Sequence, residues 1–235
     1  MASARLLRAM NALYYRDAGG EKRPAFFDID KTYPSLRVFD RNLSVIQEEL
    51  EPLLGERQAI PRYHEVAKQE TYISGTFVPE KSWRVFMLRW LPGGGLEANM
   101  AKCPRTSAML DQVPGVIQAF FSILDGGKPI PAHDGPYLGY LRYHIALKVP
   151  AENPPTIRIK DQLHTWQVGQ SILFDDSWNH EVMNEARDIR VVLIVDVMRP
   201  MRWRAHAVNW LVTRLSKFDP SSRAARKNLA GFQPH

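Results

Sequence analysis

The chain has 235 residues, of which 45% are hydrophobic, so it is long enough to bury one core and short for two. The chain has a single cysteine, Cys103, so an internal disulfide framework is excluded and we predict a cytoplasmic location. Cys103 lies outside any nucleophile or redox motif. The net charge of +6 favours an anionic partner, but the sequence lacks zinc-finger spacing, helix-turn-helix patterns and basic–aromatic recognition motifs, so we expect no nucleic acid partner.

Helical texture opens the chain, and residues 1–60 are expected to form an N-terminal helical flank. Within residues 35–55 the apolar side chains recur at helical spacing, and Gly55 follows as a stop signal. These side chains are Leu36, Phe39, Leu43, Ile46 and Leu50. The pattern predicts one helix over residues 35–55.

Short strand-like runs begin at Trp83 and are separated by proline and glycine turns. The runs occupy residues 83–91, 115–124, 139–149, 156–160, 171–176 and 189–197. Many short strands between turn clusters predict a β-sandwich or barrel, of which the double-stranded β-helix, a jelly roll, is the natural member. We therefore predict a mainly β fold, with a double-stranded β-helix domain over residues 61–200 and flanking helices.

Helical texture returns over residues 198–218, and residues 201–235 are expected to form a basic amphipathic tail. An apolar side of this helix lies beside basic residues that include Arg202, Arg204, Arg214 and Lys217. The apolar side consists of Trp203, Val208, Leu211, Val212 and Leu215. Two interpretations stay open: a helix packed on the barrel, or an interfacial helix that holds the protein on the cytoplasmic face of an anionic membrane. No run of 18 apolar residues predicts a membrane span.

Two histidines stand out by their context. His133 lies in PIPAHDGPYLG, a connection between two predicted strands, and His180 lies in FDDSWNHEV, just after the strand SILFDD. Side chains at strand ends can be aimed at one point by a rigid scaffold. Iron(II) with open coordination positions is typically bound by two histidines and one carboxylate, although two imidazoles alone also accept zinc, copper or nickel.

The strand after each histidine carries an arginine. Arg142 and His144 are two positions apart and therefore share one strand face, and Arg190 opens an apolar strand. An arginine at the mouth of a barrel suits a dicarboxylate, because its planar fork binds a carboxylate bidentately. Taken alone, Arg142 is better explained as a rim salt bridge, and Arg190 as a strand-end surface charge.

Three segments, residues 133–150, 166–169 and 174–200, together resemble the aspartyl/asparaginyl β-hydroxylase family, which includes lipid A hydroxylases. Weaker cues in residues 104–124 follow the same pattern, and the resemblance covers roughly residues 60–200. It implies a double-stranded β-helix whose members hydroxylate an unactivated carbon with iron(II), 2-oxoglutarate and O2.

The resemblance also implies roles for individual residues. His133 and His180 match the metal ligands, and Arg190 matches the arginine that holds the far carboxylate of 2-oxoglutarate; these three are the implied catalytic residues. Arg142 and His144 match a pair near the metal-bound end of this co-substrate. The implied 2-oxoglutarate contacts are Ser122, Arg142, His144 and Arg190.

The usual carboxylate ligand is missing from the sequence. Most iron/2-oxoglutarate enzymes have His-x-Asp at the first ligand position, whereas Gly135 stands two residues after His133. The aspartyl/asparaginyl hydroxylases share that absence. A ligand role for Asp134 stays open, and we expect Asp175 and Asp176 to orient the loop before His180.

The substrate stays open between a peptidyl Asp or Asn side chain and a lipid acyl chain. Tyr140 occupies the position at which the aspartyl enzymes of the family carry a basic residue that reads the substrate carboxylate, so it is the candidate substrate-proximal residue. The basic ends and Trp203 and Trp210 of the tail favour a lipid or another surface-bound substrate slightly. We expect no N-terminal membrane anchor of the kind usual among lipid hydroxylases, which counts against lipid. A non-catalytic jelly-roll binding module is the alternative function.

Overall fold

The computed structural model describes residues 4–68, 71–75, 78–90, 96–218 and 229. Its strands are β1 (Phe26–Phe27), β2 (Trp83–Arg89), β3 (Val116–Leu124), β4 (Ile130–His133), β5 (Tyr140–Lys148), β6 (Thr156–Ile159), β7 (Gln162–Thr165), β8 (Ser171–Phe174), β9 (His180–Met183) and β10 (Arg190–Met198). Its α-helices are α1 (Ala4–Ala18), α2 (Ile29–Thr32), α3 (Arg37–Arg41), α4 (Leu43–Gly55), α5 (Tyr63–Val66), α6 (Thr71–Gly75), α7 (Glu97–Lys102), α8 (Pro104–Asp111) and α9 (Trp203–Leu215). Parts of two predicted elements, the end of strand 83–91 and most of the tail beyond residue 218, lie outside the described residues.

These strands form two antiparallel sheets. The larger has the order β1-β8-β5-β10-β3-β2, and the smaller has the order β4-β9-β6-β7. From β3 to β10 the chain crosses repeatedly between the two sheets, so that four strands of this run lie in each sheet. That winding is the double-stranded β-helix, which confirms the predicted fold class.

The larger sheet is buried on both faces. All nine residues of β10 are buried, which explains why this strand reads as a continuous apolar run. Val192 and Ile194 point into the core between the two sheets, whereas Val191 and Leu193 belong to an outer core. Helices α3, α4 and α8 supply the other side of that outer core. The helical flank and the barrel therefore share one continuous packing interface.

The single helix predicted over residues 35–55 is wrong, because the structure divides it into α3 and α4 at Asn42. The Asn42 side-chain amide donates to the Val38 carbonyl oxygen at 2.8 Å, and its backbone leaves the helical region. Asparagine often competes for backbone hydrogen bonds in this way and ends a helix. The apolar spacing was nevertheless informative, since Phe39 and Leu50 are both buried.

Helix α9 packs on the protein through the side that carries its small and polar residues. Most of its large apolar residues, which were expected to form the packed side, lie on the exposed side. Its buried residues are Ala205, Asn209 and Thr213, while Trp203 and Leu211 are exposed. Ala205 packs in a small apolar cluster with Tyr14 and Leu138, and Asn209 binds the backbone of Gly139 and the Tyr137 hydroxyl. No helix within the described residues has both the length and the apolar character needed to cross a bilayer.

Candidate active site

His133 and His180 are brought together by the smaller sheet. His133 is the last residue of β4 rather than part of a loop, and His180 is the first residue of β9. The two are direct register partners, and their ring centroids are 4.1 Å apart. Residues opposite each other in an antiparallel pair project from the same face, so both imidazoles point the same way.

Backbone carbonyls fix the protonation of both rings. Nδ1 of His133 lies 2.8 Å from the Pro131 carbonyl oxygen, and Nδ1 of His180 lies 2.9 Å from that of Trp178. A carbonyl oxygen only accepts hydrogen bonds, so each Nδ1 carries the proton and each Nε2 keeps a lone pair. Burial lowers the pKa of both rings, to about 3 for His180, and therefore favours the neutral, metal-binding form.

Asp176 occupies the space that a metal-binding side chain at position 135, two residues after His133, would need. A Cβ atom added to Gly135 would lie 2.6 Å from the backbone oxygen of Asp176 and 2.7 Å from its Oδ1. Asp134 is exposed, and its Oδ1 accepts from Asn179 Nδ2 at 3.0 Å. In the described part of the chain, no third histidine, cysteine, aspartate or glutamate joins a metal-binding cluster.

Arg190 is a buried cation that has no counter-ion in the part of the chain that the structure describes. It is 1% exposed, and its Nε and Nη1 have no hydrogen-bond partner among the residues that the structure describes. Its Cζ lies 4.6 Å from the ring centroid of Trp166. Burial lowers the pKa of the guanidinium to about 9. Since an unpaired buried charge is strongly unfavourable, this arrangement is typical of a site that binds an anion.

Other polar groups without partners surround Arg190. Both ring nitrogens of His144 and Nε1 of Trp166 are buried and lack hydrogen-bond partners within the described ranges. The His144 ring stacks near Trp166 at a centroid distance of 6.1 Å. The three residues therefore line one region that contains unused donors and acceptors, and burial keeps the pKa of His144 well below its ordinary value.

Ser122 belongs to the same face of the larger sheet. It pairs with Val192 across β3 and β10, two residues from Arg190, and its side chain is buried. Its hydroxyl accepts from Trp83 Nε1 at 2.9 Å, which leaves the hydroxyl proton available for a ligand. The strand alternation thus places Ser122 on the same face of the sheet as Arg190.

Arg142 is already paired, in contrast to Arg190. Its Nε and Nη2 donate to Asp196 at 2.7 and 2.8 Å, and its Nη1 lies 3.1 Å from Asp176 Oδ2. Burial raises the pKa of both aspartates, and the guanidinium between them opposes part of that rise. Tyr140 is also engaged, because its hydroxyl donates to Asp176 Oδ2 at 2.8 Å.

Asp196 and Trp166 were missed as site residues in the sequence. The signal for Asp196 was available, since a carboxylate inside an otherwise apolar strand needs a buried partner. Trp166 opens the segment 166–169 that carries part of the resemblance, but its contact with Arg190 depends on which residues fold against it. Both contact a residue that the sequence did single out, namely Arg142 and Arg190 respectively.

Asp175 anchors the loop that leads to His180. Its carboxylate pairs with Arg23 at 3.1 Å and with Arg199 at 2.7 Å, and it accepts from the Ser177 backbone amide at 3.1 Å. The Arg23 guanidinium in turn lies 3.5 Å from the ring centroid of Trp178, whose carbonyl orients His180. These contacts agree with the expected loop-orienting role of this carboxylate.

Comparisons with known proteins show which sequences resemble this chain. A sequence model described as aspartyl/asparaginyl beta-hydroxylase matches residues 40–200. Ornithine lipid ester-linked acyl 2-hydroxylase of Rhizobium tropici is 36% identical over 190 residues, covering 80% of this chain and 66% of that protein. Aspartyl/asparaginyl beta-hydroxylase of Homo sapiens is 33% identical over 138 residues, covering 54% of this chain and 18% of that protein. The chain thus spans about two thirds of the first relative and about a fifth of the second.

A Pseudomonas putida prolyl-4-hydroxylase is among the solved structures that align with the chain. It is 12% identical, with 67% of this chain and 88% of that chain covered and a TM-score of 0.42.

Proposed function

The chain belongs to the aspartyl/asparaginyl beta-hydroxylase family, and on that premise we propose that it is an iron(II)- and 2-oxoglutarate-dependent hydroxylase with residues 61–200 as its catalytic domain. The observation that carries the proposal is Arg190, a buried guanidinium whose Nε and Nη1 lack partners in the described structure. It lies in the same barrel as a pair of histidines with free Nε2 atoms. A dicarboxylate bound to a metal satisfies both features at once.

The two histidines would hold the metal through Nε2. Their Nδ1 protons are already committed to carbonyl oxygens, so no rearrangement of His133 or His180 is needed. Bound iron(II) would supply O2 activation coupled to oxidative decarboxylation of 2-oxoglutarate. With only two protein ligands, the remaining coordination positions are free for co-substrate, O2 and water.

The residues of the larger sheet would orient 2-oxoglutarate. Arg190 would bind the far carboxylate, with the Ser122 hydroxyl as a second donor. His144 would lie toward the metal-bound end, and Arg142 has two of its five N–H groups left after pairing with its aspartates. Because the site is buried, these charge-assisted hydrogen bonds are stronger than they would be in water.

A lipid acyl chain is the substrate that we propose, with a peptidyl Asp or Asn side chain as the alternative. The Tyr140 hydroxyl is bonded to Asp176 and carries no charge, so it cannot form an ion pair with a substrate carboxylate. The relative from Rhizobium tropici, which acts on a lipid acyl chain by its name, aligns over more of this chain than the human protein. We place the protein in the cytoplasm, where Cys103 stays reduced, at the membrane's cytoplasmic face.

An anaerobic titration tests the metal and co-substrate site. Iron(II) and 2-oxoglutarate added to the purified protein should produce the visible charge-transfer band of the chelate. The band should disappear in His180→Ala and persist in His206→Ala, a matched control on an exposed histidine of α9. If wild-type protein gives no band and binds no 2-oxoglutarate, the chain is a non-catalytic jelly-roll binding module.

A mass measurement distinguishes the substrates. The iron-loaded protein is incubated with 2-oxoglutarate, O2 and either acyl lipids or Asp-containing peptides, and the products are searched for one added oxygen. We expect the oxygen on the lipid acyl chain, and none with Arg190→Met. An oxygen found only on the peptides would refute the lipid assignment and leave the reaction class intact.

A further inference from the structure

The outward side of α9 carries large apolar and basic side chains. Trp203 is 75% exposed, Trp210 45% and Leu211 51%. Positions spaced three and four apart on a helix form one stripe, so these residues lie on one continuous surface. We call this surface the α9 face; it consists of Trp203, Arg204, Trp210, Leu211, Arg214 and Leu215.

The orientation of α9 is unfavourable in water alone. Its buried side consists of small and polar residues, Ala205, Asn209 and Thr213, while two tryptophans and two leucines face outward. A clustered apolar surface of this kind marks a site of interaction.

The charge around the α9 face identifies the partner as anionic. From residue 199 to residue 218 the sequence contains no aspartate or glutamate. Arg202, Arg204 and Arg214 of this segment are exposed, whereas Arg199 is buried and paired with Asp175. A second copy of the chain, docked symmetrically through the same face, would bring like charges together.

The arginines and tryptophans are arranged in pairs. Arg204 Cζ lies 5.2 Å from the Trp203 ring centroid, and Arg214 Cζ lies 4.4 Å from that of Trp210. In a bilayer interface, tryptophan rings lie at the depth of the headgroups and arginines extend toward lipid phosphates. We propose that the α9 face docks this protein on an anionic lipid bilayer.

Docking at this face would also position the loop beside the histidine pair. Asn209 Nδ2 donates to the Gly139 carbonyl oxygen at 2.7 Å, and the Tyr137 hydroxyl donates to Asn209 Oδ1 at 2.6 Å. Both partners lie in residues 134–139, which connect His133 to β5. A Cβ atom on Gly139 would lie 2.3 Å from Tyr137 Cε1 and 2.5 Å from Asn209 Oδ1, so any side chain here would displace Tyr137 and Asn209.

Helix α1 holds the same loop through Asn11. Its Nδ2 donates to the Pro136 carbonyl oxygen at 3.0 Å, and its Oδ1 accepts from the Leu138 amide at 2.9 Å. The loop after His133 is therefore fixed to both terminal helices. A bilayer contact at α9 sets the position of this loop relative to the membrane, whether or not metal or co-substrate is bound.

Vesicle sedimentation with the metal-free, 235-residue protein tests the docking surface. Vesicles of phosphatidylcholine with phosphatidylglycerol should bind the protein, and pure phosphatidylcholine vesicles should bind it much less. Binding should weaken as salt is raised. Arg204→Glu with Arg214→Glu should reduce partitioning by on the order of tenfold or more, and Trp203→Ser with Trp210→Ser should also reduce it.

A double variant elsewhere on the surface provides the control. Lys148→Glu with Leu163→Ser makes similar chemical changes at exposed positions away from α9 and should bind as wild type does. In a second measurement on unmodified protein, vesicles with brominated acyl chains should quench tryptophan fluorescence. This readout needs no variant, so it holds even if a substitution disturbs folding.

Three results would overturn the proposal. Wild-type protein could fail to bind anionic vesicles, or the α9 variants could bind as well as wild type. The protein could also form a dimer in sedimentation velocity that the same variants abolish, which would assign the face to a second copy. None of these results bears on iron or 2-oxoglutarate binding, so the proposed function is tested separately.

Discussion

Arg142, with 15% of its side chain exposed, and Arg190, which is fully buried, lie on one face of the larger sheet, and their electrostatic surroundings are opposite. Arg142 lies between two aspartates, whereas no carboxylate contacts Arg190 in the described structure. Removing one partner of a buried charge pair lowers stability, because the other charge is left buried and unpaired. Removing a buried charge that has no partner should raise stability, because its desolvation penalty disappears. The two residues should therefore respond to the same substitution with stability changes of opposite sign.

Arg190→Met should stabilise the protein and abolish its 2-oxoglutarate binding. Methionine has a similar volume and carries no charge to desolvate, so we expect the free energy of unfolding to rise by about 1–4 kcal/mol. Denaturant unfolding of the metal-free protein measures this, and calorimetry measures binding. Arg190→Lys is the control, because it keeps the charge without the fork and should give no such gain. A destabilised methionine variant would mean that Arg190 has a structural counter-ion.

Arg142→Met should destabilise the protein by about 3–5 kcal/mol, since Asp176 and Asp196 would lose their shared counter-ion. Burial already raises the pKa of both carboxyls, and losing the guanidinium raises it further in the folded state. A folded-state pKa above the unfolded value gives stability at low pH that is lost as pH rises. The loss of unfolding free energy in Arg142→Met should therefore be smaller at pH 5 than at pH 8.

Denaturant midpoints of wild type and variant at the two pH values check this prediction. Tyr140→Phe is a suitable control, because it removes one hydrogen bond to Asp176 and leaves the cation in place. Tyr140→Phe should lower the free energy of unfolding by about 1 kcal/mol. An Arg142→Met deficit that does not change with pH would show that the aspartates remain ionised without the arginine.

At the scale of elements, the pairing of β4 with β9 determines which metal site the chain can build. The two strands bring His133 and His180 into register, and the segment after β8 brings Asp176 against Gly135. A side chain at position 135 therefore has no room. The missing carboxylate is thus a property of how these segments pack and cannot be restored by one substitution.

Gly135→Asp should fail to create a third metal ligand. Its Cβ would lie 2.6 Å from a backbone oxygen, which cannot move as a flexible side chain can, so we expect a loss of about 1–3 kcal/mol in unfolding free energy. Manganese affinity, measured by titration calorimetry, should not improve. A variant that folds with wild-type stability and binds metal more tightly would contradict this account of the site.

At the scale of the whole molecule, the outer core joins the helical flank to the barrel. Cys103 lies fully buried there, and its Sγ is 4.0 Å from the Glu49 carbonyl oxygen on α4. Burial, with a smaller contribution from Glu49, raises the pKa of this thiol to about 12. Its chemical reactivity should therefore report opening of the entire interface.

Labelling of Cys103 by a thiol reagent at pH 8 should be slow in native protein. Its rate should follow the denaturant dependence of global unfolding, because the thiol is fully buried in the outer core. Mass spectrometry of quenched samples gives the rate. Rapid labelling in the absence of denaturant would show that the helical flank opens independently of the barrel.

The sequence by itself determined the fold class and the main candidate residues. Short strands between turns predicted the jelly roll, and the order of three segments indicated the family and the histidine and arginine positions. Local patterns carry the fold class, because strand spacing and turn residues act within a few positions along the chain, whereas the roles of the histidines and arginines were implied by the resemblance.

Only the tertiary structure decided which groups are paired and which are left free. Arg142 and Asp196 are 54 positions apart, so nothing local in the sequence separates the paired Arg142 from the lone Arg190. The same holds for α9, whose large residues face outward because its small ones fit the loop after His133. Charge pairing and burial depend on contacts between distant segments, and such contacts exist only once the chain has folded.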